Sequence, residues 1–264
     1  MRNYWLIFCL LLFISCEKVV EVPLDEADVL LVVEAVMKDR DSSSFVKISS
    51  TSTVYTESNF PTVSGAIVNV TDNLGESFLF YEQSQTPGLY VNNDFKLKAN
   101  RTYFLNVQSN GEVVSAEATT RSKPKIDSVT YTQEQFGFGD ENFETYLVAY
   151  HSVDNPNEEN YYRLRIWINE EEVGFYYLGD DKFINGQNYE AQFFGSAPEL
   201  GDSIRIEMLE MDKTNYKYQV GLSEQAAGGG PFSAAPSNPP TNIVGNAIGY
   251  FGVYMTDTAS IVIE

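Results

Sequence analysis

The fold class of this chain is indicated first by residues 103–118, which read YFLNVQSNGEVVSAEA. Two runs of strand length, residues 103–107 and 113–118, flank the dipeptide Asn110-Gly111. Asn-Gly between such runs is the strongest short signal for a hairpin, because both turn residues must adopt positive φ. The stretch therefore predicts two antiparallel strands joined by a tight turn.

Similar strands surround this hairpin in the first half of the chain. Seven or so short strands separated by turn residues every 8–12 positions are typical of a β-sandwich. The further runs lie at residues 29–36, 45–48, 64–70, 77–81 and 89–91.

A resemblance supports this interpretation. Residues 64–70, SGAIVNV, with the glycine turns and strands that follow to residue 105, resemble the sandwiches of prealbumin and of carboxypeptidase regulatory domains. The resemblance implies a spacer or a binding module rather than an enzyme.

A break at residues 119–127 separates the two halves of the chain. Pro124 cannot donate to a central ladder, and the local charge turns positive. We therefore predict a β-sandwich domain at 28–122 and a second, β-rich domain at 123–264. The second half carries one short helix at about 212–225, for which Asp212 suits the N-cap. The predicted fold class is all-β.

The N-terminus has the features of an export signal. Arg2 precedes an uncharged apolar run at residues 4–14, which is shorter than the about 20 residues that a membrane-spanning helix needs. Phe13-Ile14-Ser15-Cys16 resembles the lipobox of bacterial lipoproteins. We predict a lipoprotein signal peptide at 1–15 and a lipid anchor on Cys16. The alternative is an ordinary secretory signal beside an incidental cysteine.

The residues after Cys16 are predominantly acidic. Residues 16–27 include Glu17, Glu21, Asp25 and Glu26, and we interpret this segment as a lipidated acidic tether. Acidic residues at this position resemble a signal for export to the outer surface of Bacteroidota. The prediction is an outer-membrane lipoprotein that faces the cell exterior; the alternative is a merely solvated tether.

The overall charge excludes one class of partner. The chain has 17 Lys and Arg against 37 Asp and Glu, a formal net charge of −20. Nucleic-acid binding requires a basic surface that replaces the counterions of phosphate, and this composition does not supply one.

Few residues suit catalysis or metal binding. His151 is the only histidine, so a triad would have to use it, and Cys16 is assigned to the lipid. We predict no enzyme, no catalytic residue, no metal and no cofactor. Calcium is the alternative kept open, because acidic residues cluster at 140–141, 154–159 and 180–181.

The whole mature chain resembles a family of Bacteroidota outer-membrane lipoproteins that is grouped as a domain of unknown function. Its members are often encoded beside TonB-dependent receptors, so the resemblance implies a location and a neighbour, but no activity. The matching stretches are residues 15–20, 31–35, 63–66, 124–129, 154–163, 228–233, 238–243 and 247–252.

The long loop at 228–252 is the predicted ligand or partner surface. We name Phe232, Asn242, Tyr250 and Phe251 as its candidates. The alternative is a structural clasp over the second sheet. We also expect exposed aromatic rings at residues 136, 138, 176, 177, 193 and 194.

These features predict a non-enzymatic accessory or ligand-binding partner of a TonB-dependent transporter. The alternative is a free-standing surface adhesion or structural module.

Overall fold

The computed structural model describes residues 28–40, 44–52, 60–138, 141–174, 176–193, 198–227 and 238–264. The predicted signal peptide, Cys16 and the acidic tether lie outside these residues. The described part of the chain contains sixteen strands and one helix, which confirms the all-β class.

The first seven strands surround one core and pair in the order β1-β2-β5-β4-β3-β6-β7. Alternation places every second side chain inside, as on β6, where Tyr103, Leu105 and Val107 are buried and Phe104 is exposed. Their bounds are β1 Leu31–Lys38, β2 Phe45–Ser50, β3 Ile67–Asp72, β4 Ser77–Gln83, β5 Thr86–Val91, β6 Thr102–Ser109 and β7 Glu112–Thr119.

The hairpin predicted from residues 103–118 is confirmed. Strands β6 and β7 pair in antiparallel register up to Ser109 and Glu112. Asn110 and Gly111 form the turn with φ of 50° and 84°. Two consecutive positive φ values match the twist of the flanking strands, which is why Asn-Gly suits the turn.

The second half forms a second sandwich. One sheet contains β10 and β14, and the facing sheet has the order β13-β9-β8. The remaining described strands are β8 Ile126–Phe138, β9 Glu141–Val153, β10 Tyr161–Ile168, β11 Glu171–Glu172, β12 Tyr177–Asp180, β13 Asn188–Gln192, β14 Ser203–Met211, β15 Ile243–Val244 and β16 Ala247–Val262. Of these, β15 pairs with β7 at the edge of the first sandwich.

The single described helix, α1, spans Lys213–Ala226. The Asp212 side chain accepts a hydrogen bond from the Asn215 N–H at 2.8 Å, so the predicted N-cap is confirmed. No helix in the described part of the chain has the length and apolar character needed to span a bilayer.

Strand β16 joins the two sandwiches. Its first half pairs in parallel with β1, from Leu31 opposite Ala247 to Lys38 opposite Tyr254. Its second half pairs in antiparallel register with β14. The two cores therefore share one strand, and residues from the end of the chain pack into the first core.

The same face of β16 lines both cores. Phe251, Val253 and Met255 pack into the first core, whereas Ala259 and Ile261 pack against the second. The opposite face meets α1, where the Tyr250 and Tyr218 rings stack with centroids 4.3 Å apart. The close approach of β1 requires Gly249, because a Cβ there would overlap the carbonyl oxygen of Val33.

Candidate functional site

Asn242, one of the predicted surface residues, forms a clasp between two strands. Its Nδ2 donates to the carbonyl oxygens of Glu117 and Phe251, both at 2.8 Å. Its Oδ1 accepts from the Phe251 N–H at 3.0 Å. The amide thus ties the loop to β7 and β16, and its polar atoms are occupied by the fold itself.

The two neighbouring aromatic candidates correct our expectation of a surface. Phe251 is fully buried in the first core, and Tyr250 is 5% exposed beneath α1. Both lie on the shared strand β16, where alternating side chains enter the core or meet the helix. Phe232 lies outside the described residues.

His151 has polar neighbours on adjacent strands. Its Nε2 lies 2.9 Å from Thr130 Oγ1, and its Nδ1 lies 3.7 Å from Glu190 Oε2. The order hydroxyl, imidazole, carboxylate is that of a triad, but the three residues come from the adjacent strands β8, β9 and β13. The second distance exceeds a hydrogen bond. We therefore interpret these contacts as cross-strand pairing.

The acidic residues considered for calcium stabilise loops. Asp181 Oδ2 accepts from the Asn160 N–H at 3.0 Å. The buried Asp154 carboxylate accepts from the Tyr162 hydroxyl at 3.1 Å and from the Gly186 N–H at 2.9 Å. Among the described residues, no group of three or more His, Cys, Asp or Glu is placed to hold a metal ion. Asp140 lies outside these residues.

A pocket of about 330 Å³ opens at the edge of the second sandwich. It lies where β12, an edge strand on β10, approaches β13, an edge strand on β9. Its size lies in the range of small-molecule sites. We call it the tyrosine pocket; its lining residues include the five aromatics Tyr150, Tyr162, Tyr177, Tyr189 and Phe193.

The aromatic rings of the pocket wall contact one another, one pair stacked and two pairs edge-on. The Tyr150 ring stacks on Phe193 with centroids 5.8 Å apart and meets Tyr189 edge-on, also at 5.8 Å. Tyr177 meets Phe193 edge-on at 5.6 Å. Edge-to-face contacts of this kind fix ring orientation. The pocket therefore has preformed aromatic walls.

The tyrosine hydroxyls are neutral at physiological pH. Burial raises the pKa of Tyr150, Tyr162 and Tyr189, and burial likewise raises that of Tyr177. Neutral phenols offer both a donor and an acceptor to a ligand.

Behind Tyr162 lies a buried carboxyl group. Glu210 is 1% exposed, and no hydrogen bond of ordinary geometry reaches either of its oxygens from the described residues. Burial, aided by the negative charge of Glu158 and opposed by Arg121, raises the pKa of Glu210 to about 10. Glu210 is therefore protonated at neutral pH.

Glu210→Gln is expected to remove a pH-dependent loss of stability. As the pH rises above the ordinary value of 4.5 toward about 10, the unfolded chain loses this proton while the folded protein keeps it, so wild-type stability falls. Glutamine does not titrate. The difference in free energy of unfolding, variant minus wild type, should increase by about 1.4 kcal/mol per pH unit between pH 5 and pH 7. Urea unfolding at both pH values measures this difference, and a constant difference would contradict a protonated Glu210.

A second concavity adjoins the tyrosine pocket. This open cleft of about 660 Å³ shares Asp180 with it and contains the ring pair Tyr161 and Tyr216, with centroids 5.1 Å apart. Lys213 Nζ lies 3.2 Å from Glu159 at its rim. The cleft is polar and wide, whereas the tyrosine pocket is narrower and mostly aromatic.

Only part of this site is predictable from the sequence. Tyr177 and Phe193 were expected to be exposed, and the structure places them in the pocket wall, with Tyr177 half-buried and Phe193 buried. Tyr150, Tyr162 and Tyr189 were not singled out. They come from three strands whose edges meet only in the folded chain, so no local pattern in the sequence joins them. Side chains 136 and 138 and residue 194 lie outside the described part.

The fold and the pocket define an all-β protein with two large cores that share a strand and a ligand-sized aromatic pocket at the edge of the second core. The chain belongs to the family described as a domain of unknown function (DUF4249), whose model matches residues 17–260. No protein of curated function matches the chain.

Proposed function

We propose that this protein is a non-enzymatic, lipid-anchored binding protein of the outer membrane, which takes a small organic ligand into the tyrosine pocket and serves as an accessory to a TonB-dependent transporter. The observation that carries the binding function is the preformed aromatic pocket of about 330 Å³. Convergent aromatic walls with a few polar groups are the usual construction of a small-molecule site.

The composition of the pocket favours binding over catalysis. Among the residues that the structure describes, its lining contains no His, Cys, Ser, Thr, Lys or Arg. The two carboxylates of the lining, Asp180 and Glu190, are exposed. The usual catalytic groups are a nucleophile with a histidine base, and the described lining supplies neither. Binding without chemical conversion is the function that such walls support.

The anchoring part of the proposal rests on the sequence. The apolar run at 4–14 followed by Ser15-Cys16 supports export and lipidation, and the acidic segment to residue 27 supports a surface location. Two or more acyl chains hold a protein firmly to a membrane, whereas one holds it marginally. An anchored binding protein would raise the local concentration of its ligand beside a transporter.

The anchor is tested by the variant Cys16→Ala. Wild-type protein should remain with the outer-membrane fraction and Cys16→Ala should not acquire a lipid, as mass spectrometry of the N-terminal peptide would measure. Recovery of an unmodified Cys16 in the mature wild-type protein would contradict lipidation.

The transporter partnership is tested by native isolation of the lipidated protein from outer membranes in mild detergent. A TonB-dependent receptor should be recovered in stoichiometric amount, and its substrate would direct the search for the ligand. Recovery of the protein alone would overturn the stable complex and support a free-standing surface module instead.

A further inference from the structure

The charged side chains in the described lining of the tyrosine pocket are acidic. Within the described part of the chain, its ionisable lining side chains besides the neutral tyrosines are the carboxylates of Asp180 and Glu190. Two basic residues adjoin the lining without entering it. Lys182 Nζ lies over the ring of Phe183 at 5.3 Å, and His151 Nδ1 lies 3.7 Å from Glu190. The walls therefore combine aromatic faces with negative charge.

Aromatic faces carry negative electrostatic potential and attract cations, most strongly where water is excluded. Elsewhere in this chain such faces already hold cations: Arg163 lies 4.7 Å from the Tyr176 centroid, and Arg205 lies 3.7 Å from that of Trp167. Among the described residues, no Lys or Arg lies over the ring of Tyr150, Tyr189 or Phe193. These three rings thus have no such cation from the described residues.

A further acidic side chain, that of Asp154, contacts a lining residue of the pocket. The Tyr162 hydroxyl donates to the buried carboxylate of Asp154 at 3.1 Å. This hydrogen bond places an acidic side chain beside the Tyr162 ring, which lines the pocket. The same arrangement repels an anionic ligand, and the net charge of the chain, −20, acts in the same direction.

From this geometry we propose that the tyrosine pocket binds an organic cation of the alkylammonium or quaternary ammonium class. The aromatic rings enclose the alkylated nitrogen, and Asp180 and Glu190 supply the countercharge at the rim. This inference rests on the proposed binding function and specifies the chemical class of its ligand.

Choline and its neutral isostere 3,3-dimethylbutan-1-ol provide the direct test, because they share shape and hydroxyl group but differ in charge. Isothermal titration of the mature protein with each should show choline binding about tenfold more tightly. Equal or stronger binding of the neutral alcohol would overturn the cationic class while leaving the pocket as a binding site. Binding of neither compound would also overturn the inference; the transporter partnership is decided separately by the native isolation.

Variants of single residues test whether choline binds in the tyrosine pocket. Tyr189→Leu should weaken choline binding about tenfold, and the matched Tyr176→Leu, which alters a ring outside the lining, should leave it unchanged. Glu190→Gln keeps the shape of an exposed side chain and so preserves the fold. It should weaken choline several-fold without affecting the neutral alcohol. An equal effect of Tyr176→Leu and Tyr189→Leu, or no effect of Glu190→Gln, would contradict the proposal.

Discussion

Glu207→Gln is expected to lower the free energy of unfolding by about 3–5 kcal/mol, because it breaks a buried ion cluster and removes the carboxylate that pairs with the buried ammonium group of Lys38. Glu207 on β14 is 4% exposed. Lys38 Nζ on β1 donates to both carboxylate oxygens of Glu207 at 3.2 and 3.0 Å. Arg165 Nη1 on β10 donates to one of these oxygens at 3.3 Å. Arg40 NH1 lies 3.5 Å away.

The cluster joins strands that are remote in sequence, so its loss acts on the whole molecule. Burial lowers the pKa of Lys38, and Glu207 opposes that shift. Without Glu207 the ammonium group of Lys38 would keep the cost of burial and lose its partner. Urea unfolding measures the effect.

Glu172→Gln is the matched control. Glu172 also forms an ion pair with Arg165, but its side chain is 36% exposed. A pair of this kind contributes about 1 kcal/mol or less. Similar losses for Glu172→Gln and Glu207→Gln would show that the buried cluster has no special contribution.

Phe251→Ala is expected to cost about 3–5 kcal/mol of stability, since it removes a fully buried ring from the strand that both cores share. The cavity would lie in the first core, yet β16 continues into the second. We expect a single unfolding transition at a lower urea concentration, seen alike by circular dichroism and by the fluorescence of Trp167.

Phe183→Ala is the control for this substitution, because the Phe183 ring is 82% exposed. Its effect should stay within about 0.5 kcal/mol. An unchanged stability of Phe251→Ala would contradict the core position and restore Phe251 as a candidate contact residue.

Local features of the fold were predictable because their causes lie close together in the chain. The Asn110-Gly111 turn needs two residues that tolerate positive φ, and the cap of α1 needs an acceptor at Asp212 three residues before a free N–H. Strand alternation likewise depends on neighbouring residues. These signals sufficed for the all-β class and for the helix.

The exposure of Tyr250 and Phe251 was not predictable from the local sequence. Aromatic residues in a segment rich in glycine and proline favoured a surface, and the alternative of a clasp was kept open. Asn242 is used by the fold, and Tyr250 and Phe251 are buried because β16 enters the middle of a sheet. The sequence does not show which partners a strand will find.

By itself, the sequence determined the β class, the hairpin, the helix and its cap, and the acidic character of the chain. Only the tertiary structure decided that β16 pairs with β1 in parallel, that Glu207 meets Lys38 across 169 positions, and that the pocket tyrosines converge. The reason is physical. Turns, caps and alternation depend on backbone geometry within a few residues. Strand order and pocket walls depend on which distant surfaces bury each other, and single-sequence patterns do not encode that choice.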